Sequence, residues 1–211
     1  MSEAEPIQFW FSIGSTYTYL SVMRLAAAEQ EYGIAFDWQP FNVRAIITDI
    51  GNVPFQGKPP KLAYMWADLG RRAAMYGIPA HLPAPYPLPG LNLANRVAIV
   101  ARDEGWCSAY AQATYRRWFQ QGQEPGAEPN LSGSLREIGQ EPDRILSLAQ
   151  SDEIGRAYDA ATTRARELGI FGSPSFATRG QLFWGDDRLE DAVSWHKHGR
   201  VIRPAWENLN A

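Results

Sequence analysis

Only one cysteine, Cys107, occurs in the 211 residues. A lone cysteine forms no internal disulfide, so no disulfide framework holds this fold. Cys107 sits beside Trp106 between two helical patterns, where it reads as a small buried hydrophobe. Histidine is scarce as well. His81, His196 and His198 have no cysteine or carboxylate at metal-ligand spacing, so no metal site is expected. The pair His196 and His198 lies near the tail and is expected to be solvent-exposed. Basic residues are not in excess: 20 Lys and Arg stand against 23 Asp and Glu, a net charge of −3. Nucleic acid and anionic membrane surfaces both call for clustered positive charge, so neither is expected as a partner. No stretch approaches the ~20 apolar residues of a membrane helix. The acidic opening MSEAEPIQFWF lacks the basic start and apolar run of a signal peptide. A soluble, cytoplasmic protein is therefore the expectation. P-loop, dinucleotide and Gly-x-Ser-x-Gly signatures are absent from the sequence, which removes the nucleotide and serine-hydrolase readings.

What is present begins with hydrophobic periodicity. Residues 7–13 are apolar and aromatic and read as a buried strand, broken by Gly14 and Ser15. From Thr16 the pattern turns helical, with Tyr19, Leu20, Met23, Leu25, Ala26 and Ala27 on one face, until Gly33 stops it. Residues 34–41 alternate again and read as a second strand, so the opening is a βαβ unit with a right-handed crossover. Proline and glycine then mark loops at 51–60, 79–90 and 122–129. Between them helices are expected at 43–50, 61–76, 92–104, 108–121, 131–140 and 142–149. A long helix over 152–168 ends at Gly169. Two short strands, 174–178 and 181–184, flank the hairpin turn Arg179-Gly180, and a helix over 188–195 closes the pattern.

The order is βαβ, a helical stretch, then αββα. Without the helical stretch it is the order of the thioredoxin fold. The expected class is thus α/β, a thioredoxin-like fold with an inserted all-helical domain. Residues 1–42 and 150–199 would form the thioredoxin-like domain, 43–149 the insertion and 200–211 a C-terminal tail.

Three motifs carry a family resemblance. Phe9 to Leu20, reading FWFSIGSTYTYL, resembles the strand–Ser-Pro-Tyr-Ser–helix opening of 2-hydroxychromene-2-carboxylate isomerases and kappa-class glutathione transferases. Gly51-Asn52-Val53-Pro54, followed by Lys61, Tyr64, Asp68 and Leu69, is similar to their Gly-Asn-x-Pro loop and Lys-x-x-Tyr-x-x-x-Asp-Leu helix. Residues 169–176 (GIFGSPSF) and 183–189 (FWGDDRL) resemble Gly-Val-Phe-Gly-x-Pro-x-Phe and Phe-Trp-Gly-x-Asp-Arg-Leu, the most specific of the three. The resemblance runs from about Ile7 to Trp195 and implies a DsbA-like architecture. The chain departs from it at Ser12, where the family has an acid, and at Thr16, where it has a proline. Proline suits a first helical turn, so the opening is less rigid here.

The chemistry follows from the four positions Ser15-Thr16-Tyr17-Thr18. A dithiol oxidoreductase has Cys-x-x-Cys there, with the thiolate stabilised by the helix start. Both sulfurs are replaced by hydroxyls, so thiol–disulfide exchange with the chain's own residues is excluded. On its own, serine before a helix is most often an N-cap. The resemblance implies instead that Ser15 is the catalytic donor to a glutathione thiolate. It further implies a cis Ser173-Pro174 bond whose backbone pairs with the glutathione peptide. Asn52 and Lys61 would bind the tripeptide, Lys61 at its glycyl carboxylate, and Asp186 and Asp187 would take the γ-glutamyl ammonium. Read alone, carboxylates at a helix start are usually caps.

The implied activity is glutathione-dependent interconversion of 2-hydroxychromene-2-carboxylate and trans-o-hydroxybenzylidenepyruvate, intermediates of aromatic catabolism. Tyr64, Trp66 and Tyr86 are candidates for a flat aromatic pocket, and Arg71, Arg72 or Arg96 for the substrate carboxylate. Relatives often dimerise, which carries a homodimer over as an expectation. Two other readings stand beside this one: a kappa-class-like glutathione transferase, and a noncatalytic thioredoxin-fold binding module.

Overall fold

The structure is a computed structural model describing residues 5–51, 55 and 57–202. Strand β1 (Ile7–Phe11) leads into helix α1 (Thr18–Tyr32), which ends at Gly33 in a left-handed turn (φ 62°), a conformation glycine adopts without steric cost. Strand β2 (Phe36–Pro40) lies parallel to β1, as the helical crossover requires. Helices α2 (Val43–Asp49), α3 (Pro59–Met75), α4 (Asn92–Asp103), α5 (Cys107–Gln121), α6 (Asn130–Glu137) and α7 (Pro142–Gln150) follow. Helix α8 (Asp152–Glu167) is capped by Ser151, whose hydroxyl accepts from the Ile154 N–H. Strands β3 (Ser175–Thr178) and β4 (Gln181–Trp184) form a hairpin through Arg179 and Gly180, both at positive φ. A single 3₁₀ turn, Asp186–Arg188, then runs into α9 (Leu189–His198).

The sheet order is β2-β1-β3-β4, with β3 antiparallel to both its neighbours. This is a mixed thioredoxin-like sheet with helices α2 to α7 placed between its first two strands and the final αββα. Aromatic contacts fix the sheet's centre. The Phe9 ring meets Trp38 edge-on at 4.9 Å and stacks on Phe176 at 5.3 Å. One hydrophobic cluster runs from β1 (Phe9, Phe11) through α1 (Leu20, Leu25) into α4 and α5 (Val97, Tyr110, Trp118). Each fully buried Phe or Leu contributes about 1.5–3 kcal/mol. The helices of the insertion are therefore fastened to the sheet side by the same burial that holds the sheet together. Among the described residues, no helix is long and apolar enough to cross a membrane.

Two local differences from the sequence reading matter. Helix α1 begins at Thr18, not Thr16. The Ser15, Tyr19 and Leu20 N–H groups bond three residues back, to Ser12, Thr16 and Tyr17, so a tight turn occupies residues 12–17 before the helix opens. His196 is buried, not solvent-exposed: its Nδ1 lies 2.8 Å from the Thr178 hydroxyl, and burial lowers its pKa. Only His198 of the pair is exposed.

Candidate active site

The site is built where the turn before α1 meets the loop before β3. The Ser15 hydroxyl donates to the Ser173 carbonyl at 2.6 Å. Ser15 is not a helix cap; position Tyr17 precedes the first helical residue, and no side chain caps it. The Ser173-Pro174 bond is cis, as expected from the resemblance. The Ser173 hydroxyl accepts from the Ser12 N–H at 2.9 Å and lies 2.9 Å from the Thr18 hydroxyl. Four hydroxyl-bearing residues, Ser12, Ser15, Thr18 and Ser173, thus knit the two segments together.

The insertion locks this turn from behind. Asn95 of α4 is fully buried. Its side chain accepts from the Ile13 N–H at 2.8 Å and donates to the carbonyls of Ile13 and Leu91, each at 2.9 Å. The Tyr115 hydroxyl of α5 lies 3.0 and 3.1 Å from the carbonyls of Ser12 and Ser15. Burial holds Tyr115 protonated, so it is a hydrogen-bond donor there. Gly14 (φ 119°) completes the turn; a Cβ there would run into Leu91.

Beside Ser173 opens a cleft of about 230 Å³, lined by Tyr17, Asp68, Arg72, Ser173, Pro174, Trp184 and the Gly185–Asp187 segment. Its charges are organised. The Tyr17 hydroxyl donates to Asp68 at 3.0 Å, and burial together with Asp68 raises the Tyr17 pKa. Burial disfavours the Asp68 carboxylate, but Tyr17, Arg71 and Arg72 outweigh that and lower its pKa. Asp186 is buried; its Oδ1 accepts from Ser21 at 3.0 Å and from Arg24 at 3.2 Å. Its Oδ2 is buried without a hydrogen-bond partner. Burial pushes the Asp186 pKa up, against the opposing pull of Arg24 and Ser21. A buried carboxylate oxygen left unpaired in a cleft wall is costly unless a donor arrives. Trp184 is 53% exposed, meets Phe171 at 4.9 Å and lies over Gly172, where any Cβ would strike its indole.

The sequence-selected residues are placed unequally. Ser173, Pro174, Asp186 and Asp187 line the cleft, and Ser15 touches it through Ser173. Asp187 is half-exposed, 3.5 Å from Arg188 and 3.9 Å from Arg72. Lys61, on the first turn of α3, is exposed with its ammonium 5.8 Å from the Phe55 ring, and it does not line the cleft. Asn52 lies outside the described residues. Of the aromatic candidates, Tyr64 is exposed, while Trp66 and Tyr86 meet edge-on at 6.1 Å; none lines the cleft. Cys107 is buried, its thiol held protonated by desolvation, so it is no nucleophile. Among the described residues, no group of three His, Cys, Asp or Glu side chains is placed to hold a metal.

The model of the DSBA-like thioredoxin domain matches residues 6–194. A 2-hydroxychromene-2-carboxylate isomerase of Sphingobium xenophagum is 30% identical over 191 residues, 90% of this chain and 96% of that protein. This chain belongs to the DsbA-like thioredoxin family. The structure of a 2-hydroxychromene-2-carboxylate isomerase superposes with a TM-score of 0.79 at 27% identity, covering 88% of this chain and 91% of the other. A kappa-class glutathione transferase of Caenorhabditis elegans is 24% identical, over 92% of this chain and 93% of that protein.

Within the DsbA-like family this chain carries hydroxyls, Ser15 and Thr18, at the two ends of the Cys-x-x-Cys stretch. Sequence reasoning missed Asn95, Tyr115, Ser21 and Arg24 as supports of the site. A buried asparagine or tyrosine on a helix carries no sign of a partner 80 or more residues away. Thr18 was readable, as the last of those four positions, but its contact with Ser173 was not.

Proposed function

We propose that this chain is a glutathione-dependent isomerase interconverting 2-hydroxychromene-2-carboxylate and trans-o-hydroxybenzylidenepyruvate. The observation that carries the reading is the Ser15 hydroxyl held against the Ser173 carbonyl, in the tight turn that leads into α1. A ligand thiol arriving at this point meets a hydroxyl donor, which favours the thiolate. The homologous isomerases and the kappa-class transferase support the assignment.

Two carboxylates in the cleft support glutathione as its ligand. Asp186 Oδ2 is buried and unpaired, which suits the γ-glutamyl ammonium, and Asp187 adds a second carboxylate beside it. The Ser173 backbone, just before β3, is the proposed partner of the cysteinyl peptide. Lys61, for the glycyl carboxylate, and Asn52, for a hydrogen bond to the tripeptide, complete the proposed binding set. When bound, glutathione would supply a thiolate for reversible addition to the electrophilic double bond, its expulsion after rotation restoring that bond. Ser15 would hold the thiolate by donating its hydroxyl to the sulfur in place of the Ser173 carbonyl. Tyr115 and Asn95 keep the Ser12–Ser15 turn fixed while Ser15 changes partner. Cys107, buried and protonated, takes no part.

Ultraviolet monitoring of either isomer, with and without glutathione, tests the reading. Approach to one equilibrium from both sides, only with glutathione and with no loss of free thiol, is expected. A stable conjugate with consumption of thiol would assign a transferase instead. No glutathione dependence would contradict both.

A further inference from the structure

Among the described residues lining the cleft, Arg72 is the one cation. The neighbouring arginines are otherwise committed. Arg24 is shared between Asp186 and Glu190 and lies over the Tyr76 ring at 3.8 Å. Arg188 is held by Asp191 at 2.8 Å and by Asp187 at 3.5 Å. Arg71 is 60% exposed, bonded to Asp68 at 3.2 Å and set beside the Tyr64 ring. Arg96 packs against Gly155 of α8 and does not line the cleft.

Arg72 is anchored but not saturated. Its Nε donates to Asp68 at 3.4 Å, the Tyr76 hydroxyl is a further partner, and its Nη2 stands 3.9 Å from Asp187, beyond hydrogen-bond reach. A guanidinium has five N–H donors in a planar fork that matches a carboxylate. Asp68 is itself fixed by Tyr17 and Arg71, so the Arg72 head is aimed by a three-residue brace.

We propose that Arg72 is the receptor for a ligand carboxylate in this cleft, and so makes the site selective for carboxylated ligands. The inference rests on the isomerase reading, in which both the aromatic substrate and glutathione carry carboxylates.

The experiment compares two enones that differ only in the acid group, trans-o-hydroxybenzylidenepyruvate and trans-o-hydroxybenzylideneacetone, with wild type, Arg72→Met and Arg72→Lys. Direct binding is read by quenching of tryptophan fluorescence, and glutathione Kd by calorimetry. Losing one charged hydrogen-bonding group costs about 10- to 100-fold. If the carboxylate is the substrate's, Arg72→Met lowers the acid-over-ketone Kd preference by that factor, leaves glutathione Kd within about twofold, and Arg72→Lys restores part of the preference. If it is glutathione's, glutathione Kd weakens by the same factor and the preference is unchanged. A preference and a glutathione Kd both within twofold of wild type in Arg72→Met overturn the proposal. The enone comparison needs no glutathione, so a wild type that binds the acid over the ketone but shows no glutathione-dependent isomerisation sinks the isomerase reading alone.

Discussion

Ser15 and Ser173, 158 residues apart, are joined by a hydrogen bond of 2.6 Å from the Ser15 hydroxyl to the Ser173 carbonyl. The Ser173 hydroxyl returns the connection by accepting from the Ser12 N–H and meeting Thr18. Ser173→Ala removes that acceptor and leaves the Ser12 N–H unpaired. The expected cost is about 1–2 kcal/mol, a fall in Tm of roughly 2–8 °C. Thermal unfolding by circular dichroism checks it.

Asn95 makes a larger contribution. Asn95→Leu leaves the Ile13 N–H and the carbonyls of Ile13 and Leu91 without their partner in a buried setting. A loss of about 3 kcal/mol is expected. Because the turn it holds carries Ser15, isomerase kcat falls as well, even below the lowered Tm. Unchanged kcat in folded Asn95→Leu protein would mean the turn is set by its own sequence.

Much of this was legible in advance. The order βαβ, helices, αββα follows from apolar periodicity and from glycine and proline punctuation. Gly33 stops α1 and Arg179-Gly180 turns the hairpin, but Pro59 and Pro60, read as loop, open α3, where proline's missing N–H has no helical partner to lose. The start of α1 was misplaced by two residues because Thr16 and Tyr17 suit a tight turn as well as a helix. The motifs singled out Ser173, Pro174, Asp186 and Asp187, and the structure lines one cleft with all four. The burial of Asp186 was not, because a carboxylate beside a helix start reads as a cap until Arg24 and Ser21 are seen against it. The histidine pair misled for a similar reason: His196 and His198 lie near the end of α9, and only the partner Thr178 shows which one faces inward.

Asp186 ties stability to pH. Its pKa is raised in the folded protein, so the folded state binds a proton more tightly than the unfolded state does. Its contribution to stability is therefore greatest below the ordinary carboxylate range and is lost as pH rises through the raised value. An ammonium at Oδ2 favours the ionised form, so ligand binding in that window releases a proton from Asp186. Asp186→Asn should flatten this part of the stability–pH curve and weaken glutathione binding. Chemical denaturation across pH 4 to 8, free and with glutathione, measures both.

Gly172 seats Trp184. A methyl group at this position collides with the indole, so Gly172→Ala displaces a side chain that lines the cleft. A shifted tryptophan emission maximum and weaker ligand binding are expected, while the core aromatics Phe9, Trp38 and Phe176 keep the near-ultraviolet dichroism close to native. An unchanged emission spectrum would show that the indole does not rest on Gly172.

Calorimetric titration of glutathione into wild type and Ser15→Ala reads whether Ser15 holds a glutathione thiolate. Run near pH 7 in two buffers of different ionisation enthalpy, the wild type should bind with release of a thiol proton. Ser15→Ala should bind about 10- to 100-fold more weakly, with proton release reduced. Equal affinity and equal proton release in the two proteins would contradict the role of Ser15, and no binding by wild type at millimolar glutathione would contradict the account as a whole.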